Sequence, residues 1–360
     1  MADVDGIEDL AAVRRRVELD PLYATAAVIF IAVGGWYLLK ELAPLLRPLV
    51  LAIFLAYTIM PAHRALRRRF HGRFAGLFLA LLVSLAVLAV SLLLYKNLVD
   101  LRAELPRLIE RAKTLIDDAR AWGREHLPAW IFPPETSSTQ AEADTSARLR
   151  ALASSLVNGA SAFLAEALVV GFYLIFLLLE ARRLPGRVRE GFPAAQADRV
   201  LGVVASINEA ISSYLRAKTT ASIVGAVPVF VILWAFGASF PGMWGVLAFI
   251  GNFIPYVGGL VALALPALLA FLELQPAWRP LAVLGLLLVS QFVTNNVIEP
   301  RLTARAVDLS PLVVLIALAF WGLCWGVVGM VLAVPLTVVL KIAWENMPGT
   351  RPLARLMSEE

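Results

Sequence analysis

Apolar residues run for long stretches of this 360-residue chain, with arginine and proline marking the ends of each run. A helix needs about 20 such residues to cross a hydrocarbon core ~30 Å thick. Full spans are therefore expected near residues 21–39, 44–60, 74–95, 157–179, 219–237 and 280–298. Two further stretches, 242–272 and 309–341, are too long for one span and too short for two. The first is interrupted at Ile254-Pro255-Tyr256-Val257-Gly258-Gly259 and the second around Trp321-Gly322 and Trp325-Gly326. Each half has the length of a re-entrant segment, and broken backbone at membrane depth survives only where protein or a water-filled cavity surrounds it. The expected fold is all-α: a polytopic integral membrane protein with about six full transmembrane helices, two re-entrant helical hairpins and a polar helical insert.

The polar insert, residues 96–155, separates an N-terminal membrane region (1–95) from a C-terminal one (156–360). Within it Leu101, Leu105, Leu108, Ala112, Leu115, Ala119 and Trp122 alternate steps of four and three. That is the seam of an amphipathic helix, lying on its own protein, on the membrane surface or on another subunit. Pro106 belongs in an early turn of that helix or kinks it. Residues 133–147 read as a flexible Pro/Ser/Thr-rich connector. A second amphipathic stretch, 196–217, links the fourth and fifth spans as an interfacial helix, passive or sliding.

Composition agrees: 60% of residues are hydrophobic and 16% charged, whereas a soluble globule carries roughly a quarter charged. The net charge of +5 lies in short basic clusters, so it speaks to membrane orientation and not to nucleic acid. Arg64, Arg67, Arg68, Arg69 and Arg73 follow the second span; Arg182, Arg183, Arg187, Arg189, Arg199, Arg216 and Lys218 follow the fourth. Both segments, and with them the N-terminus, are expected in the cytoplasm. The opposite loops are poor in basic residues, with Lys40 and Arg47 in one and Arg279 in another. The first apolar run ends at Lys40 without a small-residue cleavage pattern and reads as a retained helix.

A single cysteine, Cys324, allows neither a disulfide nor a Cys-based metal site within one chain. There is no GxxxxGK[ST] loop, no HExxH and no paired histidines at metal spacing; no metal, no cofactor and no enzymatic activity are expected. His63, His71 and His126 read as solvated loop residues.

An ionised side chain at the bilayer centre costs about 2.5–3.5 kcal/mol, so each polar residue in a span needs a reason. Glu166, within the fourth span, is either proton-linked or packed protonated against a partner helix. Gln291, Asn295 and Glu299 are spaced by four, with Thr294, Asn296 and Arg301 beside them, so one helical face presents amides and a carboxylate. Asn252 precedes the Pro255 break, and Gly258-Gly259 lets backbone approach closely. The two interrupted regions also resemble each other: Val257-Gly258-Gly259-Leu260 before Pro266 parallels Val328-Gly329-Met330 before Pro335. A span followed by a hairpin, repeated in opposite orientation, is the plan of inverted-repeat secondary transporters.

The run Gly251-Asn252-Phe253-Ile254-Pro255-Tyr256-Val257-Gly258-Gly259, then Asn295-Asn296-Val297-Ile298-Glu299-Pro300-Arg301-Leu302, then Leu309-Ser310-Pro311-Leu312, and finally Gly326 through Leu336 resemble the AI-2E family transporters. This group includes autoinducer-2 exporters and PerM-like permeases. The motifs lie in the C-terminal half; the N-terminal half agrees in layout only. The resemblance implies a bacterial inner-membrane transporter, with autoinducer-2 export described for some members and sodium or lithium/proton antiport for others. The family's recurrent positions fall on Pro255, Tyr256, Gly258, Asn295, Glu299, Pro300, Pro311, Gly326, Gly329 and Pro335. Family members are thought to form homo-oligomers, which would give the 101–122 seam a purpose.

The expected function is secondary transport of a small polar solute or a monovalent cation, with proton or sodium exchange as its energy source. The path is expected along Asn252, Pro255, Tyr256, Gly258, Gly259, Gln291, Asn295, Asn296, Glu299 and Arg301, with Glu299 or Glu166 as the coupling group and Pro311, Gly326, Gly329 and Pro335 breaking the second hairpin. The alternative is a non-transporting membrane scaffold that binds a partner through the polar insert.

Overall fold

A computed structural model describes residues 21–67, 74–126, 139–181, 183–255, 257–303, 308–347 and 349–358. The first apolar run forms α1, Pro21–Glu41, and the second forms α2, Ala43–Arg67. They meet at a 77° bend across Leu42 instead of an open loop. Pro44 explains the break, because it offers no N–H to the carbonyl four residues back and its ring would clash with it. Arg47, expected in a loop, therefore lies inside α2.

The membrane helices run on into the polar insert. Helix α3, Phe74–His126, and α4, Thr139–Glu180, pass from apolar to polar sequence without interruption and pack side by side. Ser84 touches Gly171 while the short connection joins 126 to 139, so the two are antiparallel. Helix α4 takes up residues 139–147 of the expected connector, and 133–138 lie outside the described residues. Leu101, Leu105, Leu108, Ala112 and Leu115 are buried or half-buried, whereas Ala119 and Trp122 are exposed. Leu94 and Leu108 enter a core with Leu233, Met243 and Trp244, so this chain covers most of the seam itself. Pro106 sits well inside α3 and not in an early turn. The helix tolerates it because Pro106 and Arg102, whose carbonyl loses its partner, both face solvent.

A short helix, α5 (Leu184–Gly191), leads into α6, Ala194–Phe236. The amphipathic stretch 196–217 is the first half of α6, continuous with the fifth span. It is held from both sides: the Tyr57 hydroxyl of α2 donates to Asn208, and Arg199 donates to the Asn346 carbonyl at 3.0 Å.

Helices α7 (Pro241–Gly251) and α8 (Gly258–Glu273) form the first hairpin. At 1.5 Å per residue the 11-residue α7 reaches only about 16 Å, half the hydrocarbon thickness. A Cβ on Gly258 would overlap the Gly251 carbonyl and stand 2.7 Å from the Asn252 Cα, so only glycine closes this turn. Helix α9 (Trp278–Val293) continues through a π-helical turn, Thr294–Ile298, into α10 (Glu299–Thr303).

Helix α11, Pro311–Glu345, holds the second hairpin. Ser310 caps it by accepting from the Val313 N–H at 3.3 Å, with Pro311 in the first turn. Its helical path breaks at Gly326, with φ 65° and ψ −144°, a combination that in practice only glycine adopts. A Cβ on Gly329 would overlap the Trp321 carbonyl. Eight residues along a straight helix are about 12 Å apart, so the chain folds back on itself here. The last helix, α12 (Arg351–Leu356), closes over the entry to α11, where the Met357 carbonyl accepts from the Ser310 N–H at 3.0 Å. As expected, the described residues form an all-α polytopic membrane protein.

Candidate functional site

Polar side chains from three elements converge beside the first hairpin. Lys218, Ser222 and Gly225 follow one another at helical spacing on one face of α6. Lys218 is 3% exposed and Ser222 fully buried, an arrangement that an apolar helix tolerates only with partners. The Lys218 ammonium donates to the Glu299 carboxylate at the start of α10. Asn252, at the end of α7, donates to the Ser222 hydroxyl at 3.3 Å. Gly225 brings α6 against the π-helical turn, since a Cβ there would lie 3.1 Å from the Thr294 methyl. Gly259 does the same for α8: its Cβ position is 2.8 Å from the Asn295 amide and 3.9 Å from Gln291 Oε1.

The π-helical turn sets the register of this face. It inserts an extra residue per turn relative to an α-helix, and such bulges recur at functional sites. Gln291 and Thr294 are buried, and Asn295 looks at Gly259 while Glu299 reaches Lys218. Asn295 and Asn296 are both exposed, but Asn296 donates to the Phe292 carbonyl of its own helix at 3.0 Å. Arg301 is also exposed.

The expected residues are thus partly assembled. Asn252, Gly258, Gly259, Gln291, Asn295 and Glu299 meet, with Pro255 at the break between α7 and α8 and Tyr256 outside the described residues. Glu166 is elsewhere: it faces Arg47 between α2 and α4, Nε to Oε1 at 3.6 Å. Pro311, Gly326, Gly329 and Pro335 belong to the second hairpin, whose Trp325 and Leu332 share an apolar core with Ile211, Tyr214 and Leu215 of α6. Sequence reasoning missed Lys218, Ser222 and Gly225. Lys218 had been counted with the arginines that orient the chain; its position four residues before Ser222 at the head of an apolar run was the available signal.

Two buried polar atoms border the cluster without a hydrogen-bond partner among the described residues, the Tyr214 hydroxyl and Ser290 Oγ. Tyr214 lies one turn before Lys218 and feels the Glu299 charge. Among the described residues no group of three or more His, Cys, Asp or Glu is placed to hold a metal ion. On the far side of the cluster, Val229, Leu233, Met243, Val283 and Leu287 fill the space between α6, α7 and α9 with no measurable exposure.

The profile of the AI-2E family transporters matches residues 26–349. This chain belongs to that family. It is 37% identical over 186 residues to the Escherichia coli K12 "AI-2 transport protein TqsA", covering 52% of this chain and 53% of that protein. It is 34% identical over 202 residues to the E. coli "Putative transport protein YhhT", covering 56% and 57%. A Mycobacterium tuberculosis relative, "Putative transport protein MT0215", is 30% identical over 256 residues, 70% of each chain. The chain spans about half the length of the two E. coli relatives it matches. The AI-2E membership and the long apolar helices together make this chain a multi-pass membrane protein.

Proposed function

We propose that this AI-2E protein is a secondary transporter whose solute passes between α6, the first hairpin and the α9–α10 junction. The observation that carries this reading is the Lys218–Glu299 pair, a buried ammonium on a half-buried carboxylate in an apolar bundle beside an interrupted helix. Burying two charges is costly, and replacing a buried pair with packed apolar residues is often neutral or better for stability alone. A pair kept there is better explained by a solute route. Asn252, Asn295 and Gln291 add amide donors and acceptors, and Tyr214 and Ser290 add unpaired hydroxyls. This donor set suits a small polyol-like solute, such as the AI-2 in the name of the E. coli relative, or a monovalent cation.

Glu299 is a quarter exposed on its side chain while the opposite half is packed shut by Leu233, Met243 and Leu287. This favours a state open toward the arginine-rich side, which we take as the cytoplasmic face of the bacterial inner membrane. A neutral solute draws nothing from the membrane potential, whereas each coupled cation gains about 2.3 kcal/mol per 100 mV, so uphill movement requires ion exchange. Glu299 with Lys218 is the coupling pair we favour; Glu166, engaged with Arg47, is not.

Purified protein in proteoliposomes should move AI-2 or sodium faster under a pH or sodium gradient, and Glu299→Gln should abolish the gradient dependence. Unchanged coupled flux in that variant would overturn the assignment. The scaffold alternative draws on the exposed Trp122, stacked on His126 at the far end of α3. It predicts that a cysteine at position 295, in a Cys324→Ala background, resists membrane-impermeant thiol reagents from both sides, whereas a transport route predicts labelling.

A further inference from the structure

A cleft of about 550 Å³ opens between α2 and the end of α4. Leu49, Tyr173, Phe176 and Leu177 form its apolar walls, and Glu180 and Arg183 stand at its mouth. The Glu180 carboxylate is already engaged by Arg187. Arg183 is exposed and has no ion pair among the described residues; its backbone N–H is committed to the Glu180 carbonyl at 2.8 Å. The cleft therefore joins an apolar groove to an uncompensated cation.

The next element gives an independent pointer. Helix α5 begins directly after Arg183 and buries no side chain. Leu184 and Phe192, at its two ends, are each 50% exposed, and Arg187 and Arg189 also face outward. A short helix with apolar and basic side chains and no core of its own suits the headgroup level of a bilayer. Arg182, Arg183, Arg187 and Arg189 outnumber Glu180 and Glu190 in this stretch, the charge pattern by which membrane proteins recognise acidic headgroups.

The geometry points to a seat for one anionic phospholipid, with an acyl chain along Leu49, Phe176 and Leu177 and the phosphate on Arg183. Arginine suits this role because its planar fork pairs with phosphate oxygens two at a time. Through Phe192-Pro193, α5 leads into α6, so the lipid would hold the start of the helix that carries Lys218. The seat requires membrane residence only and stands apart from the transport reading.

The full chain, purified in non-ionic detergent and stripped of lipid, tests it by thermal unfolding during titration with phosphatidylglycerol, with phosphatidylcholine of the same acyl chains, or with inorganic phosphate. Phosphatidylglycerol should raise the midpoint saturably by roughly 3 °C or more; phosphatidylcholine and phosphate should do far less. Arg183→Gln should remove most of that rise with the lipid-free midpoint unchanged, while Arg189→Gln should keep it. Equal shifts with both lipids, a match by phosphate alone, or a full response in Arg183→Gln would overturn the seat. A change of oligomeric mass in Arg183→Gln without any lipid dependence would assign the cleft to a second copy instead and overturn it equally.

Discussion

The two hairpins solve the same backbone problem and carry different side chains. Gly258 lies against the Gly251 carbonyl in the first, and Gly329 lies against the Trp321 carbonyl in the second, each where a Cβ has no room. In both, a glycine seven residues after an earlier one, Gly251 to Gly258 and Gly322 to Gly329, lets the arms touch. The first hairpin then places Asn252 and Gly259 among Ser222, Asn295 and Gln291. The tip of the second presents Trp321, Cys324 and Trp325 to an apolar core, and Trp325 donates to the Leu39 carbonyl of α1 at 3.0 Å. Trp36 of α1 meets Phe320 edge-on with ring centres 5.4 Å apart. A repeated backbone device thus serves polar chemistry in one place and anchors the bent α1–α2 pair in the other.

The largest effect is expected where the two hairpins are alike. Gly258→Ala and Gly329→Ala should each destabilise the protein by about 4 kcal/mol or prevent its assembly, because the obstructing atom is backbone and cannot swing aside. Thermal unfolding in detergent checks this, and a tolerated Gly329→Ala would break the equivalence of the hairpins. Next comes the ion pair beside the first hairpin. Lys218→Met or Glu299→Gln alone removes one half of the pair and should cost about 3 kcal/mol, whereas the double variant should recover part of that loss while staying inactive. A double variant less stable than either single would show that the two side chains do not act as a pair.

Gly326→Ala should cost about 2 kcal/mol through backbone strain alone, since nothing lies within 4 Å of its Cβ position. Its stability measured against Gly285→Ala, an open position inside α9, isolates that strain. The smallest change in stability sharpens the comparison most. Asn252→Ala and Trp325→Phe each remove one hydrogen bond and should cost about 1 kcal/mol. Flux should fall steeply in the first and persist in the second; equal loss of flux would place both hairpins in the transport route.

Particular residues show how far the amino-acid order could be read. The 254–259 interruption and the Gly326 region marked both hairpins, because a glycine or proline that halts a helix does so locally. The stripe Gln291, Asn295 and Glu299 was visible as a polar face, yet Asn296, of the same chemistry, turns back to the Phe292 carbonyl of its own helix while Asn295 meets Gly259. The π-helical turn at Thr294–Ile298 decides that division, and no composition marks it. Glu166 and Glu299 were equally legible as carboxylates within apolar runs, and only the packing shows that Arg47, more than a hundred residues earlier, is the neighbour of Glu166. The 101–122 seam left the chain itself, the membrane surface and a second subunit open; the chain's own core takes up Leu108, while Ala119 and Trp122 stay exposed.

Apolar run lengths and the glycines and prolines that interrupt them are properties of neighbouring residues, and they determined the all-α membrane class and the two helix breaks. Which carboxylate meets which cation depends on how helices pack across long stretches of chain, where a rotation of one residue moves a side chain about 100° around the axis. Only the packed structure could therefore unite Lys218 with Glu299 and leave Glu166 to Arg47.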